Sequence, residues 1–150
     1  MGVLSNLTEE IKNAMLAKDS VKLESLRAIK SAVLLAETSS GSSGKLTDQE
    51  AIKLLQRLVK QRKDSASIFK EQNRLDLAEP EEAQAKVIST FLPTQFTNEE
   101  IESAIADIIE TIEANGMKDM GKVMGIASKK LEGKADGKRI SDIVKKKLGA

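Results

Sequence analysis

The sequence predicts an all-α protein built from two helical parts. Its apolar residues recur at three- and four-residue spacing, as they do on the inner face of a helix. Its three aromatic side chains are all Phe, so Leu, Ile, Val, Ala and Met must form the core, which suits helices better than sheets. Two Thr-x-x-Glu capping boxes, at Thr47 and Thr97, mark the starts of further helical patterns.

Two helices open the first part, which spans residues 1–95. Asn6 is the predicted N-cap of the first helix, and Ser20 is the predicted N-cap of the second. Each is followed by an apolar stripe at helical spacing, and the second pattern ends near Thr38. The polar letters TSSGSSGK at residues 38–45 indicate a flexible loop.

A long helix is the predicted spine of the first part. Its pattern runs from Thr47 to about Gln72, and at about 1.5 Å per residue its length is roughly 35 Å. Pro80 stands just inside the start of the next predicted helix, where a missing backbone N–H costs least, and Pro93 closes that helix. The neighbouring acids are interpreted as charges at this helix N-terminus: Glu79, Glu81 and Glu82.

Three helices are predicted for the second part, residues 96–150. The first starts at Thr97 and is expected to stop at Asn115–Gly116, because this pair favours left-handed backbone. The second starts near Lys118. A glycine-containing turn at residues 133–137 then separates it from a short last helix.

The composition removes many kinds of catalytic and metal site. The chain has no Cys, His, Tyr or Trp, so it lacks thiolate nucleophiles, sulfur and imidazole ligands, and the usual side chain that titrates near neutral pH. We therefore predict no catalytic residue, cofactor or metal. No apolar run approaches a membrane span and no disulfide can form, so a cytoplasmic protein without membrane attachment is expected.

Charge is segregated within the second part, although the whole chain carries a net charge of +1. Residues 97–114 contain six acids and no base, whereas residues 115–150 contain ten bases and four acids. Such a cationic surface attracts phosphate backbones, but lysines near helix ends can equally serve helix dipoles and solubility. Because this region has no aromatic platform for stacking, any RNA binding is expected to use the backbone and its shape.

Two short motifs each allow two interpretations. Gly121 and Gly125 lie one helical turn apart, so one helix face lacks side chains. This face predicts either tight helix packing or the close approach of an RNA backbone. The basic run KQRKDS at Lys60–Ser65 is either a phosphate patch or a solvated, salt-bridged helix face.

Five short stretches resemble the YqeY-like family. They are KQRKDS at 60–65, DLAE at 76–79, FLPTQ at 91–95, MKDMGKVMG at 117–125 and GKADG at 133–137. Residues from about 97 onward also resemble the C-terminal tail domain of GatB, a subunit of the glutamine-dependent amidotransferase that converts misacylated Glu-tRNA or Asp-tRNA. In that enzyme the tail helps to hold the tRNA. The resemblance implies an N-terminal helical domain joined to a GatB-tail-like domain.

The resemblance implies a tRNA-binding surface and brings no active site. The ATP-using region of GatB and the amidase subunit that releases ammonia have no counterpart in this chain. The relatives' carbon–nitrogen ligase activity, with glutamine as amido-nitrogen donor, is therefore not transferred. The resemblance and the charge pattern together give the predicted RNA-binding residues: Gly121, Lys122, Gly125, Lys129, Lys130, Lys134, Lys138 and Lys145.

Three classes of function remain open at this point. The leading prediction is a non-catalytic module that binds tRNA or a tRNA-associated complex. The alternative is a protein-interaction adaptor that docks a protein partner on the long N-terminal helix. An enzyme in its own right would need carboxylates such as Glu79 or Asp119 together with a hydroxyl or a Lys.

Overall fold

The computed structural model describes residues 2–39 and 44–149. Every regular element among these residues is helical, which confirms the all-α prediction. The helices fall into two compact units, Met1–Pro93 (unit 1) and Thr94–Ala150 (unit 2). Each unit has its own aliphatic core, as the apolar periodicity of the sequence requires.

The described residues of unit 1 form α1 (Leu7–Ala17), α2 (Ser20–Thr38), α3 (Asp48–Glu71) and α4 (Leu75–Ser89). Helices α3 and α4 pack along each other, and α2 lies against α4. Leu26, Ile29, Leu55 and Ile88 are fully buried in the core of this unit. Each such side chain stabilises the fold by about 1.5–3 kcal/mol through the loss of its contact with water.

The helix starts of unit 1 show which capping predictions were right. The Thr47 box is confirmed, because its hydroxyl accepts the Glu50 N–H at 3.2 Å while the Glu50 carboxylate accepts the Thr47 N–H at 2.9 Å. The Ser20 cap is wrong, since the Asp19 carboxylate caps α2 and Ser20 is already its first helical residue. Asn6 holds the N-cap position of α1, but its side chain makes no capping hydrogen bond within the described residues.

The segment between α2 and α3 is described only at its two ends. Residues 40–43 of the predicted Ser/Gly loop lie outside the described residues. On the far side of the loop, the Leu46 N–H donates to the Glu37 carboxylate at 3.0 Å. This contact ties the approach to α3 back onto α2.

Helix α4 begins earlier than the position of Pro80 suggested. It starts at Leu75, so Pro80 lies in the second turn and the neighbouring acids lie inside the helix. The reversal after α3 uses Asn73, whose φ of 58° is left-handed, and it lets α4 begin almost at once. Because Ala78 is fully buried, packing of this first turn outweighs the hydrogen bond that Pro80 removes.

Unit 2 contains α5 (Asn98–Ile112), α6 (Met120–Lys130) and α7 (Gly137–Gly149) within its described part, and the 3₁₀ turn Met117–Asp119 leads into α6. The Thr97 capping box is confirmed. The predicted stop at Asn115–Gly116 is wrong, because Glu113 takes the left-handed backbone (φ 55°) and ends α5. The Ala114 N–H then donates to the Ile109 carbonyl at 3.0 Å, which closes the helix end.

Candidate nucleic-acid interface

Helix α6 presents four of the predicted RNA contacts on one exposed side. Val123 and Ala127 have no exposed surface, and they anchor the opposite side in the core of unit 2. At about 100° per residue, the four contacts fall within about 100° of arc, away from that buried side. We call this surface the glycine–lysine face, and it consists of Gly121, Lys122, Gly125 and Lys129.

The two glycines of this face are uncovered. A Cβ atom placed on Gly121 or Gly125 would meet no atom of the described residues within 4 Å, apart from neighbouring backbone. The interpretation of this pair as a tight helix contact is therefore wrong. A glycine inside a helix costs about 0.5–1 kcal/mol relative to Ala, and here no intramolecular packing among the described residues offsets that cost.

The start of α6 is held by its own turn. The Asp119 carboxylate accepts the Asn115 N–H at 2.7 Å just before the helix begins. Gly116, with φ 71°, allows the chain to enter the 3₁₀ turn. Asp119, which the enzyme hypothesis invoked, thus has a structural role in positioning the glycine–lysine face at the positive end of the α6 dipole.

The other predicted contacts are spread over the remainder of unit 2. Lys130 ends α6, and the exposed Lys138 and Lys145 lie two turns apart on α7. Lys134 lies in the turn between these helices, where its ammonium group stands 5.5 Å from the centroid of the Phe96 ring. Its carbonyl oxygen also accepts the Phe96 N–H at 2.7 Å. A cation–π contact of this kind favours a fixed position for the Lys134 charge.

Several bases of unit 2 are engaged in other contacts. Lys146 lies 3.9 Å from the Glu102 carboxylate. Arg139 donates to the Phe96 carbonyl at 3.0 Å and to the Asn98 side chain at 2.8 Å, so it holds the entry to α5. Within the described part of the unit, by contrast, no acid forms an ion pair with the lysines of the glycine–lysine face.

Sequence reasoning missed the apolar residues that border this face. Met117 is 49% exposed and Ile126 is 40% exposed, and the exposed Lys118 and Ser128 lie nearby in the chain. Ile126 could have been found from its spacing, because it falls outside the period that Val123 begins. The face is therefore a bare patch bordered by both apolar and cationic side chains.

The basic run Lys60–Ser65 in α3 is divided by the fold. Lys60 forms an ion pair with Asp64 at 3.1 Å. Arg62 donates to the Gln84 side chain at 3.0 Å and to the Leu58 carbonyl at 3.3 Å. The salt-bridged interpretation thus holds for these two bases, whereas Lys63 lines a groove between α3 and α4.

A second groove in unit 1, of about 640 Å³, lies beside α1 and α4. Its lining includes Lys22, whose ammonium group lies 2.9 Å from the Glu10 carboxylate. Hydrogen bonding to Glu10, reinforced by the opposite charge, raises the pKa of Lys22 above its ordinary value. Glu79, the other carboxylate that the enzyme hypothesis named, is exposed on α4.

Residues 2–39 and 44–149 lack two kinds of special feature. They contain no cluster of three or more Asp and Glu side chains that could hold a metal ion. Their helices also include none with the length and apolar character needed to cross a bilayer.

Comparison with known proteins decides the family of this chain. The family described as Yqey-like protein matches residues 4–148. The chain belongs to this family. The resemblance seen in the five short stretches is thereby confirmed for the YqeY-like chain as a whole.

Two relatives carry the name Altered inheritance of mitochondria protein 41, mitochondrial. The one from Clavispora lusitaniae is 35% identical over 75% of the YqeY-like chain and 66% of its own length. The one from Pyrenophora tritici-repentis is 30% identical over 99% of the chain and 82% of its own length. The expected cytoplasmic location is wrong in the light of these relatives, because their names place them in mitochondria.

A third relative connects the family with tRNA amidotransferases. It is a Glutamyl-tRNA(Gln) amidotransferase subunit from Thermococcus gammatolerans, and it is 41% identical over 73 residues. The match covers 46% of the YqeY-like chain but 12% of the relative. The predicted kinship with the amidotransferase is confirmed at this level, and most of the Thermococcus protein lies outside the match.

Proposed function

We propose that this YqeY-like chain is a non-catalytic tRNA-binding module that holds the tRNA backbone on the glycine–lysine face of α6. One observation carries the proposal: Gly121 and Gly125 are uncovered, and Lys122 and Lys129 lie on the same side of the helix. A bare helix face lets a ribose–phosphate backbone approach closely. The two ammonium groups then replace the counterions of neighbouring phosphates.

The charge distribution of unit 2 supports an orientation for the RNA. Residues 97–114, which include α5, carry six acids and no base, so they repel phosphates. The RNA would therefore run over α6 and α7, where the outlying cations extend the contact: Lys130, Lys134, Lys138 and Lys145. The name of the Thermococcus relative supports tRNA as the RNA in question.

The first test removes the charges of the face from the full chain. Lys122→Ala combined with Lys129→Ala should weaken tRNA binding roughly tenfold or more at physiological salt and reduce the salt slope by about two. Lys12→Ala combined with Lys30→Ala removes the same charge from exposed positions in unit 1 and serves as the control. Equal affinity in the two double variants would exclude α6 as the binding face.

The second test covers the glycines without removing charge. Gly125→Leu should leave the fold intact, because a side chain there enters open space, yet it should weaken tRNA binding by holding the backbone away. Ala106→Leu on the exposed side of α5 adds a similar apolar side chain in the same unit and should leave binding unchanged. Unimpaired binding of Gly125→Leu would refute close docking on the glycines.

A protein-interaction adaptor remains a second candidate, and unit 1 carries the observation that favours it. Leu16 is 73% exposed and Leu35 is 72% exposed, so large apolar side chains face solvent on α1 and α2. This surface differs from the long helix α3 that the sequence suggested. Retention of a stoichiometric protein partner after nuclease treatment, with its loss in Leu16→Ser and Leu35→Ser, would favour the adaptor.

A further inference from the structure

A groove between α3 and α4 in unit 1 gathers positive charge that the tRNA proposal does not use. Its volume is about 520 Å³, and Ala66 and Ala85 belong to its lining. Each of these alanines is 2% exposed. Small buried side chains allow two helices to approach closely. Lys63 from α3 and Lys86 from α4 consequently line one narrow groove from opposite sides.

The acids near the groove do not neutralise these two lysines. Glu82 lines the groove, but its carboxylate forms an ion pair with Lys70 of α3. The neighbouring bases of the Lys60–Ser65 run are engaged by Asp64 and Gln84. Within the part of the chain that the structure describes, no acid forms an ion pair with Lys63 or Lys86. The fold thus brings two like charges into one groove, which an anion would stabilise.

The hydroxyl groups of the groove add a donor. Ser89 is already committed, because its hydroxyl donates to the Ala85 carbonyl at 2.8 Å. Ser67 is exposed, and its hydroxyl can rotate towards the same space. Two ammonium groups and one hydroxyl form a set of donors that suits a small oxyanion better than an apolar or cationic ligand.

We propose that this groove binds a phosphate group through Lys63, Lys86 and Ser67. The phosphate can belong to a nucleic-acid backbone or to a soluble phosphate ester, since both present the same charged oxygens. Because all three residues lie in unit 1, the proposal does not depend on the α6 face. It also gives Lys63 a role that the rest of its basic run does not share.

Titration of the ¹⁵N-labelled full chain with inorganic phosphate tests the site. Sodium chloride at equal ionic strength and pH is the reference. Saturable shifts should appear at the Ser67 and Lys86 amides, with a Kd on the order of 1 mM. Lys63→Ala with Lys86→Ala should weaken this binding at least tenfold, whereas Lys12→Ala with Lys30→Ala should leave it unchanged.

Two further variants guard against a trivial loss. Lys63→Arg with Lys86→Arg keeps the charge and should retain binding. Ser67→Glu changes an exposed residue, so the chain should fold, and its carboxylate should exclude phosphate from the groove. Shifts that follow ionic strength alone, or that persist in the double alanine variant, would overturn the proposal.

Binding of tRNA to the same double alanine variant then separates the two sources of phosphate. If phosphate titrates the groove and the variant also loses tRNA affinity, the ligand is a nucleic-acid backbone. If phosphate titrates the groove and tRNA affinity is unchanged, the ligand is a soluble ester. Both outcomes support a phosphate site, and absence of saturable phosphate binding overturns it whatever tRNA does.

Discussion

Small residues have opposite roles in the two units. In unit 1, Ala66 and Ala85 are 2% exposed and Ala78 is fully buried, so small side chains let α3 and α4 pack along each other. In unit 2, Gly121 and Gly125 have the same one-turn spacing that often marks a helix contact, yet nothing in the described chain covers them. Spacing of small residues therefore indicates a close approach without saying which molecule approaches.

Lysines show the same contrast. Lys60 on α3 is neutralised by Asp64 four residues later, at a distance of 3.1 Å. Lys122 and Lys129 on α6 lie beside bare backbone, and no acid of the described residues forms an ion pair with them. A count of bases thus says less about a binding surface than the neighbours of each base do.

The largest expected effect comes from enlarging a covered small residue. Ala85→Leu should destabilise the protein by about 1–3 kcal/mol, because its side chain has no room between α3 and α4. Urea unfolding, followed by resonances of unit 1, measures the change. Ala106→Leu on the exposed side of α5 should change stability by less than about 0.5 kcal/mol. Equal effects of the two substitutions would erase the contrast between covered and open positions.

A feature that both units share should give equal effects in each. Thr47→Ala and Thr97→Ala should each cost about 1 kcal/mol, because each removes the acceptor of a capping box. Thr111→Ala makes the same change inside α5, where Ala is the better helix former, and should not destabilise. Thermal unfolding compares the three variants. A neutral Thr97→Ala would show that the start of α5 does not depend on its cap.

Substitution of an uncovered glycine should have the opposite sign. Gly125→Ala should stabilise unit 2 by about 0.5–1 kcal/mol, since the methyl group enters open space and reduces the backbone freedom of the unfolded chain. Gly116→Ala is the matched control and should destabilise, because its φ of 71° strains any other residue. Urea unfolding followed by resonances of unit 2 measures both. Loss of stability in Gly125→Ala would mean that the face is covered in solution.

The smallest effect concerns an exposed ion pair in unit 1. Arg74 donates to Asp76 at 2.9 and 3.0 Å, and this hydrogen bonding lowers the pKa of the Asp76 carboxyl. A lowered folded-state pKa contributes stability that is present above the unfolded pKa and is lost as pH falls through the folded value. Because the pair is exposed, the contribution should be small.

An NMR titration of the Asp76 carboxyl measures this shift directly. Arg74→Ala should raise the titration midpoint of Asp76, whereas Arg57→Ala on exposed α3 should leave it unchanged. An unchanged midpoint in Arg74→Ala would show that the ion pair does not persist in solution.

Local signals predicted much of the fold. The boxes at Thr47 and Thr97 were found correctly because both partners of each box lie within one helical turn. The start of α4 was misplaced because burial of Ala78, a property of two packed helices, outweighs the usual preference for Pro at a helix start. The end of α5 was misplaced because Glu113 accepts a left-handed backbone that glycine would adopt more readily.

The sequence determined which elements this chain forms, since apolar period, capping residues and absent side-chain types act over one or two helical turns. It also identified Gly121, Gly125 and their neighbouring lysines as a notable set. Only the tertiary structure decided which small residues are covered, which bases are paired, and which lysines share a groove. Those outcomes depend on atoms from helices distant in sequence, and their contacts carry no signature at the residue concerned.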